Sequence, residues 1–128
     1  MVRQFTERKQ KASYDLALLQ RLAAADAITY AGIEVEKCLL RLGYSHDHLR
    51  QCIANLKPGD FEVSGRYTYG KKPVRHTVWM DVYRYKCTYY PNDDSNDNPR
   101  ADDLYIKLSL SGDCVTVTVQ SFHEWGRG

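Results

Sequence analysis

The chain has no C-x-x-C pair and no histidines at zinc-finger spacing, so Cys38, Cys52, Cys87 and Cys114 do not spell a zinc site. No apolar run approaches the ~20 residues needed to cross a bilayer. The basic N-terminus, M-V-R-Q-F-T-E-R-K-Q-K, has no apolar core behind it and does not read as a secretory signal. These absences point to a reduced, cytoplasmic protein in which Cys38 and Cys52, at apolar helix positions, serve as small hydrophobes. A large net charge is also missing. At +2, charge alone does not imply nucleic acid. The Asp-rich stretch after Tyr90 lacks the glycine and closing glutamate of a calcium hand.

What is present fits one domain spanning 1–128, with 43% hydrophobic and 27% charged residues, enough to build a real core. Charge is uneven along it. Residues 57–90 carry +4 and are rich in tyrosine, whereas 91–103 carry −4. A basic, aromatic middle is what a polyanion-binding face looks like, and equally what many solvated surfaces look like.

Residues 1–12 show no period and are expected to be a flexible arm. Ser13 is a candidate N-cap for a first helix with the stripe Leu16, Leu19, Leu22 and Ala23, ending near Asp26. A second helix starts around Gly32 and stops at Gly43, well placed as its C′ residue. Ser45 caps a third, which Lys57-Pro58-Gly59 breaks. His46 and His48, two apart in its first turn, do not share a face as metal ligands would.

From Phe61 the period becomes two. A first strand covers 61–69 and a second 74–85, extending toward Tyr89. In the second, read R-H-T-V-W-M-D-V-Y-R-Y from Arg75, the residues Val74, His76, Val78, Met80 and Val82 point one way. Arg75, Thr77, Trp79, Asp81 and Tyr83 point the other. A polar, acidic stretch to Asp103 reads as an exposed loop. Leu104, Ile106, Leu108 and Leu110 mark a third strand, with Tyr105, Lys107 and Ser109 opposite. Val115, Val117 and Val119 open a fourth, reaching about Phe122. The expected fold is α+β: N-terminal helices packed on a mainly antiparallel four-stranded sheet, one face left for a partner.

Three pieces together resemble the MqsR toxins of bacterial type II toxin–antitoxin systems, part of the RelE-like group of small ribonucleases. They are His76-Thr-Val-Trp-Met-Asp-Val-Tyr83, Leu104-Tyr-Ile-Lys-Leu108 and Val119-Gln-Ser-Phe-His-Glu124, in the family's order. The resemblance covers roughly residues 13–125. It implies a RelE-like fold and a sequence-selective mRNA interferase. Such an enzyme needs no metal or other cofactor, cuts single-stranded mRNA at short GC-containing, GCU-like sites, and is neutralised by a cognate antitoxin. In that chemistry the ribose 2′-OH attacks the adjacent phosphorus. A base takes its proton, cations steady the phosphoryl oxygens, and an acid protonates the leaving 5′-oxygen.

Carried over residue by residue, the family's strand tyrosine matches Tyr105, a proton donor or phosphate ligand, and its terminal lysine matches His123, a general base or acid. His123 shares strand parity with the apolar Val117 and Val119, so it reaches a site only if the strand bulges or twists at its end. The family's glutamine is Met80 here, which cannot donate a hydrogen bond. Its lysine before the central strand has no single match. Arg66, Lys71, Lys72 and Arg75 are the candidates, with Arg66 and Arg75 as the transition-state clamp. Expected RNA contacts are Lys71, Lys72, His76, Tyr67, Tyr83 and Lys107, with stacking on the rings of this region. Trp79 is expected to hold the sheet against the helices. The acidic loop Asp93–Asp103 is expected to project away from the RNA. The reading from another class is a non-catalytic relative that binds RNA or protein, which Met80 favours.

Overall fold

The computed structural model describes residues 6–69, 76–90 and 99–126. In chain order it runs β1 (Glu7–Lys9), α1 (Leu16–Ala24), β2 (Ile28–Tyr30), α2 (Ile33–Leu42) and α3 (His46–Asn55). A 3-10 turn over Pro58–Asp60 then leads into β3 (Phe61–Tyr69), β4 (His76–Tyr89), β5 (Arg100–Leu110) and β6 (Val117–Glu124). The fold is α+β, but the sheet has six strands rather than four, in the order β1-β3-β4-β5-β6-β2. The four long strands are antiparallel neighbours as expected. The additions are short edges: β1 pairs antiparallel with β3, and β2 lies parallel to β6. Three residues carry too little pattern to announce a strand, and β1 falls within the stretch expected to be a flexible arm.

Helix ends follow local chemistry. Gly43 closes α2 with a φ of 80°, the left-handed conformation that glycine adopts without a Cβ penalty. The Ser45 hydroxyl accepts the His48 N–H at 3.1 Å, and His48 Nδ1 accepts the Ser45 N–H at 3.1 Å, a capping box closed by histidine. His46 turns elsewhere, to Asp26 and Tyr30. The start of α1 differs from expectation. Asp15, not Ser13, is the N-cap, its carboxylate accepting the Ala17 N–H. Asp81 explains the shift. Fully buried in β4, it accepts N–H bonds from both Ser13 and Tyr14 at 3.0–3.1 Å and holds them out of the helix.

The helices cover one face of the sheet. Leu19 and Ala23 of α1, Val35 and Leu39 of α2, and Leu49 and Ile53 of α3 pack with Tyr83, Leu104, Ile106, Leu108, Val117, Val119 and Phe122. Each fully buried Leu or Ile here contributes roughly 1.5–3 kcal/mol. Cys52 belongs to this core, while Cys38 is half-exposed.

The alternation of β4 is as read. Thr77, Trp79, Asp81 and Tyr83 face the helix side, and His76, Val78, Met80, Val82 and Arg84 face the other, as their partners on β3 and β5 show. Trp79 is covered not by a helix but by Lys9 of β1, whose ammonium lies 4.2 Å from the ring centre. The acidic stretch is shorter as a loop than expected, because Arg100–Asp103 already belong to β5. Residues 91–98 lie outside the described residues.

Candidate active site on the open face of the sheet

The site begins with a displaced register. Lys107 of β5 pairs with Ser121 of β6, but the next residue, Leu108, pairs with Val119, so Gln120 is an extra residue on β6. Such a bulge reverses the alternation beyond it. Val117 and Val119 are buried in the core, and after the bulge Phe122 is buried there too. His123 therefore emerges on the face opposite the helices, the outcome that the parity of Val117 and Val119 made conditional on a bulge.

There His123 lies on Tyr105, its Cα partner across the β5–β6 ladder. The rings are stacked, with centroids 4.5 Å apart and planes 8° from parallel. His123 Nδ1 is 2.8 Å from the Glu124 carbonyl oxygen. A carbonyl only accepts, so Nδ1 carries the proton, and in the neutral imidazole Nε2 is the acceptor. Trp125 also packs against Tyr105, ring centres 5.7 Å apart. Burial pushes the Tyr105 phenol above its ordinary pKa, and Tyr67 adds to this, while the charge of Arg8 acts in the opposite direction. Tyr105 is thus a phenol, and a proton donor, throughout the neutral range.

Cations surround the pair. The Lys107 ammonium sits 5.2 Å from the Tyr67 ring centre and 6.0 Å from that of Tyr105. Arg84 lies over Trp125 at 4.7 Å and forks onto Asp103 through two bonds of 3.0 and 2.7 Å. Arg8 enters from β1, opposite Gly65. Asp103, expected with its loop to project away, is on this face, and its Arg84 pair holds its carboxyl below the usual range. Among the described residues no group of His, Cys, Asp and Glu is arranged to hold a metal ion.

The structure thus brings together His123, Tyr105, Lys107 and Tyr67. It does not bring Arg66, which faces the helix side beside Trp79 and pairs with Glu7 at 3.1 Å. Nor does it bring Tyr83, which is 1% exposed, packs edge-to-face on Phe61, and has its pKa pushed up to about 12 by burial. An RNA contact through Tyr83 would need the core to open. His76 stands exposed at the start of β4, opposite Tyr69. Lys71, Lys72 and Arg75 lie outside the described residues. Arg84 and Arg8 were missed. Arg84 shares parity with Val82 and could have been found that way, whereas nothing in 1–12 announced a strand carrying Arg8.

A helix-backed sheet whose other face carries a stacked histidine–tyrosine pair among cations defines a small α+β protein with a candidate site on its helix-free sheet surface. The chain belongs to the MqsR toxin family: the model of that family, described as motility quorum-sensing regulator, toxin of MqsA, matches residues 11–124. Membership makes it a toxin of a toxin–antitoxin system. No individual curated protein sequence matches it. Among the described residues no helix is long and apolar enough to cross a membrane.

Proposed function

We propose that this toxin is a sequence-selective endoribonuclease that cuts mRNA in the cytoplasm by 2′-OH chemistry, inhibits translation, and is neutralised by a cognate antitoxin. The observation that carries the reading is His123. Its Nδ1 is committed to a backbone carbonyl, and its ring is stacked on that of Tyr105, which the Lys107 ammonium also approaches. Nε2 takes the proton of the ribose 2′-OH as the oxygen attacks phosphorus. Lys107 and Arg8 lie where they can balance the charge that develops on the phosphoryl oxygens. Tyr105 gives its proton to the departing 5′-oxygen as the P–O5′ bond breaks. The products are a 2′,3′-cyclic phosphate and a 5′-hydroxyl. DNA, without the 2′-OH, does not react.

The residues supply every proton and charge this route requires, so cleavage is expected without a metal ion, at short GC-containing, GCU-like sites. The deciding experiment incubates the purified protein with mixed-sequence RNA in EDTA and maps the ends. Discrete cuts bearing 2′,3′-cyclic phosphates support the reading. A folded protein that makes no cuts overturns it and leaves the second reading, a non-catalytic RNA- or protein-binding relative. The observation favouring that second reading is Met80, which puts a thioether on this face where the family resemblance calls for a glutamine.

A further inference from the structure

The open face continues past Lys107 into a depression of about 440 Å³, lined by Val78, Met80, Ser109, Leu110, Thr118 and Gln120 among others. That volume lies within the ~300–1,000 Å³ of small-ligand sites, and so does its composition, an apolar floor with a few polar groups. Ser109 follows Lys107 by two residues on the same side of β5, about 7 Å along the strand. Tyr105 is about 14 Å away by the same rise. The depression is therefore in line with the reacting centre but separate from it.

Its polar groups are placed, not incidental. Ser109 is 2% exposed, and its hydroxyl accepts a bond of 2.9 Å from the Gln120 amide. Gln120 is the extra residue of the β6 bulge, so the backbone irregularity that delivers His123 to this face also delivers an amide to the depression. With one N–H committed to Ser109, the amide keeps a second N–H and its carbonyl oxygen. Among the described residues neither has a partner. An adjacent donor and acceptor on a fixed amide match the edge of a nucleobase. Met80, 3% exposed, belongs to the apolar floor beneath them.

We propose that this depression binds a base of the RNA flanking the cut, and that Gln120, held by Ser109, reads the edge of that base. The inference rests on the ribonuclease reading for its ligand class but not for its test. Gln120 touches a base, not the reacting atoms, so its variants alter which sites are cut while His123 and Tyr105 remain in place.

The test combines two readouts. In the first, end-mapped cleavage of a randomised RNA is compared for the wild type, Gln120→Leu, Gln120→Glu and Ser109→Ala. Losing a two-bond edge contact flattens the preference at one position by ~10-fold or more. A carboxylate in place of the amide accepts two hydrogen bonds and offers none, so Gln120→Glu shifts that position toward guanine, whose Watson–Crick edge presents two adjacent donors. In the second readout, a non-cleavable 2′-O-methyl oligonucleotide is titrated against protein with labelled methionine methyls. The chain has two methionines, so Met80 is a separate signal.

A saturable shift of Met80 that Gln120→Leu abolishes supports the subsite, and it does so even if the wild type cuts nothing, in which case only the ribonuclease reading falls. Cleavage by the folded Gln120 variants with unchanged preference at every position, together with an unmoved Met80 signal, overturns the subsite and leaves the ribonuclease reading standing.

Discussion

The same end of the sheet carries two clusters of nearly the same composition, one on each face. On the helix side Tyr44 stacks on Tyr89 at 3.9 Å, His48 meets the pair edge-on, and Arg100 forks onto Asp102. On the open side Tyr105 stacks on His123 at 4.5 Å, and Arg84 forks onto Asp103. The two aspartates are consecutive residues of one strand. What separates the clusters is satisfaction. Tyr44 donates to Asp102 at 2.6 Å, Tyr89 donates to the Gly43 carbonyl, and His48 Nδ1 closes the α3 cap. On the open side, among the described residues, neither the Tyr105 hydroxyl nor His123 Nε2 has a partner. A polar aromatic cluster with every bond made fixes a fold, and one with two bonds left over can move protons.

The sharpest way to break this comparison is to remove one group from each side. His123→Ala should lower RNA cleavage by about 10²–10⁴-fold, with the melting temperature nearly unchanged. Equal losses of activity and stability would make His123 structural. Asp102→Ala should do the reverse. It leaves Arg100 and Tyr44 without their common acceptor, costing about 2 kcal/mol in chemical denaturation, while cleavage by the folded fraction persists.

Tyr105→Phe keeps the ring stack and deletes only the hydroxyl. Cleavage should fall by an order of magnitude or more, as for loss of a general acid, and stability should hold. Because the phenol is pushed upward, wild-type activity should show no decline from Tyr105 ionisation below about pH 10. A falling limb at pH 8–9 that disappears in Tyr105→Phe would contradict this.

The smallest effect concerns acid. The Asp103 carboxyl is held low by Arg84, so its stabilisation is complete above the unfolded value of about 3.9 and lost as pH falls through its lower folded value. Melts from pH 6 to pH 3 should therefore fall less steeply for Asp103→Asn than for the wild type. The difference will be slight, since the pair is more than a third exposed on both sides.

Much of this was legible from the residues. Gly43 and Ser45 end and begin helices because left-handed backbone and N-caps are local chemistry. The faces of β4 followed from a period of two. Tyr105 and Lys107 opposite Leu104, Ile106 and Leu108 gave the open side of β5. What escaped needed partners distant in sequence. Arg66 carries the same charge on either face, and Ser64 and Asp81, its neighbours on that side, look solvated in sequence. In fact they are buried against Ser13 and Tyr14, the hydroxyl of Ser13 lying 2.7 Å from that of Ser64. Polar did not mean wet there. Tyr83 was misplaced for the converse reason: a phenol among basic residues can still be core.

The bulge at Gln120 has a consequence for how this chain can change. It acts as a half-period phase shift written into β6, so every residue after it is out of step with the parity that its number suggests. Deleting Gln120 would leave one residue between Val119 and Phe122 and restore the simple alternation, with Phe122 still in the core and His123 still on the open face. What the deletion would remove is the amide that the bulge carries into the depression. For this strand the length of the segment and the direction of His123 are thus separable: the inserted position can be lost without turning the histidine away.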